Sequence, residues 1–324
     1  MISLHVVIPT YNRAGKLKAV LTAIRPLMQE HYVTVYDNCS TDGTRETALL
    51  FEREHEKFSY VKRGVNIGGN GNILNAAISG LERGDMLWIL PDDDHIDEDG
   101  IQELLFYLHK LECDKIPEAL IVGACSSRAQ ATPWPLPLPR AVKDGIGEFW
   151  MHASFLPTII FGTKSLRSAI RSDLFYVGGC YSQMLFMRHL LDENARVESL
   201  PKRIVFRGED ETVLASVSWW MISWIRAMKL YPSEYRNVLN TAVVGAFWEI
   251  PFRFIKSLSR DKRGELSVTD VNYSELVALF DGWKKIYIIG IWPVALLPKK
   301  VVMFLLALRK PGGSSDKVQS LGRI

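Results

Sequence analysis

The first ninety residues alternate between short apolar runs and stretches whose apolar positions recur at helical spacing. Val6, Val7 and Ile8 form an uninterrupted run of strand type that stops at Pro9-Thr10-Tyr11-Asn12. Leu17, Val20, Leu21 and Ile24 then follow the i, i+3, i+4, i+7 pattern, which predicts an amphipathic helix. A second strand is predicted over residues 33–36 and ends in Asp37-Asn38-Cys39-Ser40-Thr41-Asp42-Gly43-Thr44, a cluster of turn formers and helix caps. Ala48, Leu49 and Leu50 mark the helix that follows, and residues 58–61 predict a third strand. After Asn66-Ile67-Gly68-Gly69-Asn70-Gly71-Asn72, a helix runs through Ile73, Leu74, Ala77 and Ile78. Met86-Leu87-Trp88-Ile89-Leu90 lacks alternation, so both its faces are buried. Continuous apolar strands separated by helices imply an α/β fold, Rossmann-like, with a mainly parallel sheet covered on both sides. Residues 155–161 read as a further buried strand, and the segment 201–207 closes this domain near residue 207.

Parallel α/β sheets bind ligands beyond the carboxyl ends of their strands, so the loops named above are expected to converge. The fourth strand ends in Pro91-Asp92-Asp93-Asp94-His95. Three consecutive carboxylates repel one another unless a cation or solvent neutralises them, and an Asp-x-Asp pair supplies hard oxygen ligands for Mg²⁺ or Mn²⁺. The bland alternative is a solvated acidic turn capping the helix that begins near Asp99 and Gly100. Asp37, directly after the second strand, can accept the imide or amino hydrogens of a nucleobase, or make an Asx-turn to nearby amides. The Asn/Gly-rich segment 66–72 permits close backbone approach to a phosphate or ribose. A dinucleotide fingerprint is absent: the third glycine position is Leu74, and the first strand is followed by no glycines.

The run 5–13, the block 35–44, the Asn66-Ile67-Gly68-Gly69 turn and Trp88-Ile89-Leu90-Pro91-Asp92-Asp93-Asp94 together resemble family 2 glycosyltransferases of the GT-A fold. The last of these is most similar to bacterial abequosyltransferase-type enzymes that build surface polysaccharides. The resemblance covers about the first third of the chain and implies inverting transfer from a nucleotide-diphospho-sugar to a lipid-linked or growing glycan. It implies that Pro9, Thr10, Tyr11 and Arg13 line the nucleotide pocket, that Asp37 reads the base, and that Asn66, Gly68, Gly69 and Asn70 lie near base and ribose. Asp92 and Asp94 match the family's metal-binding Asp-x-Asp, and Asp93 is placed against the sugar or ribose. The pattern departs from the family at the general base. Many relatives carry a Glu-Asp pair where this chain has Gly179-Cys180-Tyr181-Ser182-Gln183-Met184. Asp173, His152, Glu209 and Asp210 are the alternatives, each also readable as solvated surface or a helix cap. Two other functions stay open: a catalytically silent nucleotide-sugar-binding subunit, and a nucleotidyltransferase, which expects a Gly-rich basic loop by the first strand that is not visible here.

Composition narrows the remainder. Thirty-nine Lys and Arg against 36 Asp and Glu leave a formal charge of +3, too balanced to indicate a nucleic-acid partner. The four cysteines, Cys39, Cys113, Cys125 and Cys180, form no CxxC pair and are expected as free, mostly buried thiols of a reducing compartment. The start of the chain lacks the basic and apolar pattern of a signal peptide, so a cytoplasmic location is expected. Four prolines between positions 133 and 139 mark an extended loop on the acceptor side. The expected organisation is a catalytic domain over 1–207, with nucleotide-sugar binding in 1–110 and the acceptor side in 111–207. A helical, amphipathic extension over 208–310 and a disordered tail over 311–324 follow. Between residues 282 and 310 stand six basic residues and no acidic one, around two apolar runs each too short to span a bilayer. That pattern predicts peripheral attachment to the anionic inner face of the cell membrane.

Overall fold

All seven residues of the first strand, β1 (Leu4–Thr10), are buried, because this strand lies inside a sheet and between helices. It pairs in parallel with β2 (Tyr32–Asp37) on one side and β4 (Met86–Ile89) on the other, and β2 pairs in parallel with β3 (Phe58–Lys62). The computed structural model describes residues 2–125, 155–171, 188–191, 195–206, 231–232, 235, 289–290 and 301. The chain divides into two compact units, Met1–Glu209 and Asp210–Arg323, and the description below concerns the first.

Helices α1 (Ala14–Ala23), α2 (Thr44–Glu54) and α3 (Gly69–Gly80) connect the parallel strands. Leu17, Val20 and Leu21 of α1 enter the same core as Val6, Ile8, Val33, Val35 and Trp88. Helix α3 approaches the sheet closely at Gly80, where a Cβ would stand 2.5 Å from Leu87 Cδ1 and 2.8 Å from Val7 Cγ1. The buried His5 fastens the same place: Nδ1 lies 2.9 Å from the Gly80 carbonyl and Nε2 2.9 Å from Thr34 Oγ1. Since a carbonyl only accepts, Nδ1 carries the proton and the Thr34 hydroxyl donates to Nε2.

Beyond β4 the strand pairing is mixed. Across its width the order is β3, β2, β1, β4, β7, β6, β8, β5, where β5 is His95–Ile96, β6 is Ala119–Cys125, β7 is Ile159–Gly162 and β8 is Val197–Phe206. Strand β7 runs antiparallel to both β4 and β6, so the sheet is mixed, with the parallel half carrying the loops singled out above. The strand expected over 155–161 is shorter than the apolar run. Residues Leu156–Thr158 form one turn of 3-10 helix around Pro157, whose carbonyl accepts from Trp88 Nε1 at 2.9 Å. Pro157 has no N–H for a ladder, and the strand starts only at Ile159. The segment 201–206 belongs to β8, parallel to β6, and Pro201 is accommodated by a register shift: Val122 faces Leu200 but Gly123 faces Arg203.

Helix α4 (Glu98–Lys110) is capped by Asp97, whose side chain accepts from the amides of Asp99 and Gly100. The capping carboxylate is thus outside the triple-aspartate run. Helix α5 (Thr163–Arg171) follows β7. Cys39 and Cys113 are free thiols, and Cys113 is exposed instead of buried as expected. The proline-rich loop, the tail 311–324 and most of the extension over 208–310 lie outside the described residues. No helix among the described residues is long and apolar enough to cross a membrane.

Candidate functional site

Two loops 80 residues apart in sequence meet at the carboxyl ends of β1 and β4. Thr10, the last residue of β1, donates its hydroxyl to Asp92 Oδ2 at 2.5 Å. Arg13, at the N-cap of α1, places Nη1 2.9 Å from Asp92 Oδ1 and 3.0 Å from Asp93 Oδ2. The Asp92 side chain retains only 3% of its surface exposure, against 26% for Asp93 and 30% for Arg13. Asp94 is also buried, at 7% exposure, and His95 stands exposed on β5. Burial pushes the Asp92 carboxyl above its usual range, with the Thr10 hydrogen bond and the Arg13 charge acting against the shift. Arg13 is also desolvated, but Asp92 and Asp93 outweigh that effect and hold its pKa above the ordinary arginine value.

At the end of β2 the polar block 37–44 is a brace. Asp37 is wholly buried. Its Oδ1 accepts from the Ser40 amide at 2.8 Å, the Asx-turn contact, and its Oδ2 accepts from the Tyr60 hydroxyl of β3 at 2.5 Å. Burial, then the adjacent Asp37 carboxylate, raise the Tyr60 phenol pKa. The β1 and β2 loops lock together: Ser40 Oγ accepts from the Asn12 amide at 2.8 Å, and Asn12 Oδ1 accepts from the Thr41 amide at 2.8 Å. Asp42 accepts from the Ala14 amide at 3.1 Å and from the Thr44 hydroxyl at 2.5 Å. Asn12 and Cys39 both adopt left-handed backbone, at φ 51° and 71°.

The Asn/Gly-rich turn is held from the same side. Asn38 donates to Asn66 Oδ1 at 2.7 Å and accepts from the Ile67 amide at 2.9 Å. Gly68, at φ 79°, supplies the left-handed residue before α3, so Gly69 and Asn70 begin that helix. Buried Asn72 ties the helix to β2 through the Tyr36 carbonyl at 2.8 Å and accepts from Arg63 Nε at 2.7 Å. Tyr11, at 44% exposure, and Ile67, at 42%, present apolar surface on these loops.

The structure therefore brings Pro9, Thr10, Tyr11 and Arg13 to the end of β1, Asp37 to the end of β2, Asn66, Gly68, Gly69 and Asn70 to the β3–α3 turn, and Asp92, Asp93 and Asp94 to the end of β4. Pro9 and Thr10 pair in register with Tyr36 and Asp37. The general-base alternatives Asp173, His152, Glu209 and Asp210 lie outside the described residues. Sequence reading missed Asn38, Ser40 and Tyr60. Asn38 and Ser40 stand in the cluster that signalled a turn, whereas nothing near Tyr60 in sequence marks it as a partner of Asp37.

The donor chemistry of the acidic run fits a hard divalent cation, since its carboxylate oxygens are hard ligands of the kind such ions take. Each Asp92 oxygen accepts one hydrogen bond, from Thr10 and from Arg13, and keeps a second lone pair. Asp94, buried two residues beyond, is the member of the Asp-x-Asp pair outside these contacts with Thr10 and Arg13. Among the described residues no group of three or more His, Cys, Asp or Glu forms a complete protein cage for a metal. Mg²⁺-type ions are commonly held by one or two carboxylates together with substrate phosphates.

Residues 5–117 match the family model described as glycosyl transferase family 2. No curated protein matches the chain. Among solved structures, S. aureus TarS 1–349 in complex with UDP-GlcNAc superimposes with a TM-score of 0.55 at 16% identity, covering 91% of this chain and 90% of that one. The mannosyltransferase PcManGT from Pyrobaculum calidifontis, in complex with GDP-Man and Mn²⁺, gives 0.51 at 15% identity, with 94% and 84% covered. At such identities the likeness establishes the fold, which is GT-A.

Proposed function

We propose that the protein is a glycosyltransferase that moves a sugar from a nucleotide-diphospho-sugar to an acceptor hydroxyl with inversion, and that the site at the strand ends holds the donor. The observation that carries this reading is the convergence of Thr10 and Arg13 on Asp92 and Asp93, directly beside the braced Asp37 loop. Tyr11 offers an exposed ring against which a base can pack, and the Asp37 carboxylate, fixed by Ser40 and Tyr60, stands at the end of β2. The Asn66 turn, clamped by Asn38, borders base and ribose. Asp93 faces the ribose or the transferred sugar. Asp92 and Asp94, the Asp-x-Asp pair, hold Mg²⁺ or Mn²⁺ together with the donor's diphosphate. Such an ion, when bound, stabilises negative charge on the leaving nucleoside diphosphate. Asp92 organises the site by orienting Arg13 and the end of β1.

In the reaction the acceptor oxygen attacks the anomeric carbon as the bond to the diphosphate breaks, and the acceptor proton passes to a general base, for which the sequence offers Asp173, His152, Glu209 and Asp210 as alternatives. For the acceptor we infer a polyprenyl-linked or growing glycan of the bacterial envelope, an abequosyltransferase-type reaction of O-antigen synthesis. The six basic residues and absent acids of 282–310 support attachment to the anionic membrane where such acceptors reside. The test is a panel of UDP-, GDP-, CDP- and dTDP-sugars with membrane extract, in Mn²⁺, Mg²⁺ or chelator. Metal-dependent release of nucleoside diphosphate from one donor supports the reading. Conversion of a donor and added pyrophosphate to nucleoside triphosphate and sugar 1-phosphate contradicts it in favour of a nucleotidyltransferase, and tight donor binding without turnover in favour of a silent subunit.

A further inference from the structure

Arg13 bridges Asp92 and Asp93. A guanidinium reaching two neighbouring carboxylates at 2.9 and 3.0 Å satisfies the acidic loop from within the protein. Its backbone is anchored independently of those contacts: the Arg13 amide donates to Thr44 Oγ1 at 3.3 Å and its carbonyl accepts from the Leu17 amide at 2.9 Å. The side chain is still 30% exposed, so it can exchange partners without disturbing α1. Two kinds of charge compete around it. A divalent cation approaching the loop competes with Arg13 for Asp92 and is repelled by its positive charge. A diphosphate approaching the same place attracts the guanidinium, for which phosphate oxygens are partners as good as carboxylates.

We propose that Arg13 is the resident counter-ion of the acidic loop: it weakens binding of a free divalent cation and transfers its contacts to the donor's diphosphate, so that cation and nucleotide bind together instead of separately. This rests on the donor-site reading above. The coupling is reciprocal, since a residue that makes the nucleotide favour the cation makes the cation favour the nucleotide by the same factor.

The experiment titrates Mn²⁺ into the full chain by electron paramagnetic resonance, alone and with UDP, GDP, CDP or dTDP, for the wild type, R13Q and R13K. The wild type binds Mn²⁺ weakly alone and about tenfold more tightly with the preferred nucleoside diphosphate, a coupling within the usual range. In R13Q, Mn²⁺ alone binds about tenfold more tightly than in the wild type, the nucleotide binds more weakly, and the coupling shrinks. R13K, which keeps the charge but not the fork, lies between the two. A merely disrupted site loosens Mn²⁺ and so moves the reading in the opposite direction. Mn²⁺ affinity in R13Q equal to or below that of the wild type overturns the proposal, and intact nucleotide-dependent Mn²⁺ binding by the wild type then leaves the donor-site reading standing. No Mn²⁺ binding by the wild type with any nucleotide overturns both.

Discussion

The hydroxyl of Tyr60 on β3 donates to Oδ2 of Asp37 on β2 at 2.5 Å, across two strands paired in parallel. With the Ser40 amide on Oδ1, this leaves a fully buried carboxylate with a donor on each oxygen. A buried charge is tolerated only when hydrogen-bonded in this way.

Removing one donor exposes that dependence. Tyr60→Phe keeps the ring and deletes the hydroxyl, and is expected to cost about 1–3 kcal/mol, the penalty of an unsatisfied buried acceptor. Urea unfolding measures the loss, and calorimetric titration with the preferred nucleotide is expected to show weaker binding because Asp37 is no longer fixed. Unchanged stability together with unchanged affinity contradicts the brace.

Gly80 tests the packing beneath the site. The methyl of Gly80→Ala has to displace Leu87 or Val7, both buried in the sheet, so overpacking of about 1–3 kcal/mol is expected. The α3 N-terminus stands three turns away, and the nucleotide affinity of the folded fraction is expected to stay near the wild-type value. A melting temperature equal to the wild type's contradicts the close approach.

Two buried histidines set a limit on acid stability. Burial lowers the His31 pKa to about 4 and also lowers that of His5, both from 6.5. The unfolded chain therefore takes up protons below pH 6.5 that the folded protein refuses, and stability falls as pH drops. The contribution is complete above pH 6.5 and is lost between there and about pH 4 for His31, with a slope of at most about 1.4 kcal/mol per pH unit for each histidine. Denaturant unfolding at pH 7.5, 5.5 and 4.5 follows it. His31→Gln is expected to flatten the decline, and an unaltered slope counts against the assignment.

The parts that could be read in the sequence are those whose signals are local. Val6 to Ile8 and Met86 to Leu90 are continuous apolar runs because strands buried on both faces need no polar side, and they led to β1 and β4. The antiparallel half was not legible in the same way. His95–Ile96 is a two-residue strand with an exposed histidine, and β6 carries no flanking turn signal on the side of the proline-rich loop. Pro157 cut short a run that looked uniform. In the site, the residue types at the strand ends announced a ligand, but the division of labour among three adjacent aspartates depends on Arg13, 79 positions away from Asp92. Partnerships such as Tyr60 with Asp37 or Asn38 with Asn66 are likewise set by strand register, which a single sequence does not display.

The proposed attachment to membranes rests on the charge of 282–310. Flotation with vesicles containing anionic lipid is expected to recover the protein at low salt and to release it as salt screens the attraction. Replacing Lys284, Lys285, Lys299 and Lys300 with Gln is expected to weaken binding by about 1 kcal/mol per lysine near the surface. Equal recovery on neutral and anionic vesicles contradicts an electrostatic anchor.

The most direct test of the central claim is nucleoside diphosphate release from the preferred sugar donor by the wild type and by Asp94→Asn, with far-ultraviolet circular dichroism confirming that both are folded. A glycosyltransferase whose leaving group is stabilised through Asp94 loses about two orders of magnitude or more of turnover in the variant. Turnover and metal dependence in Asp94→Asn equal to those of the wild type contradict the account.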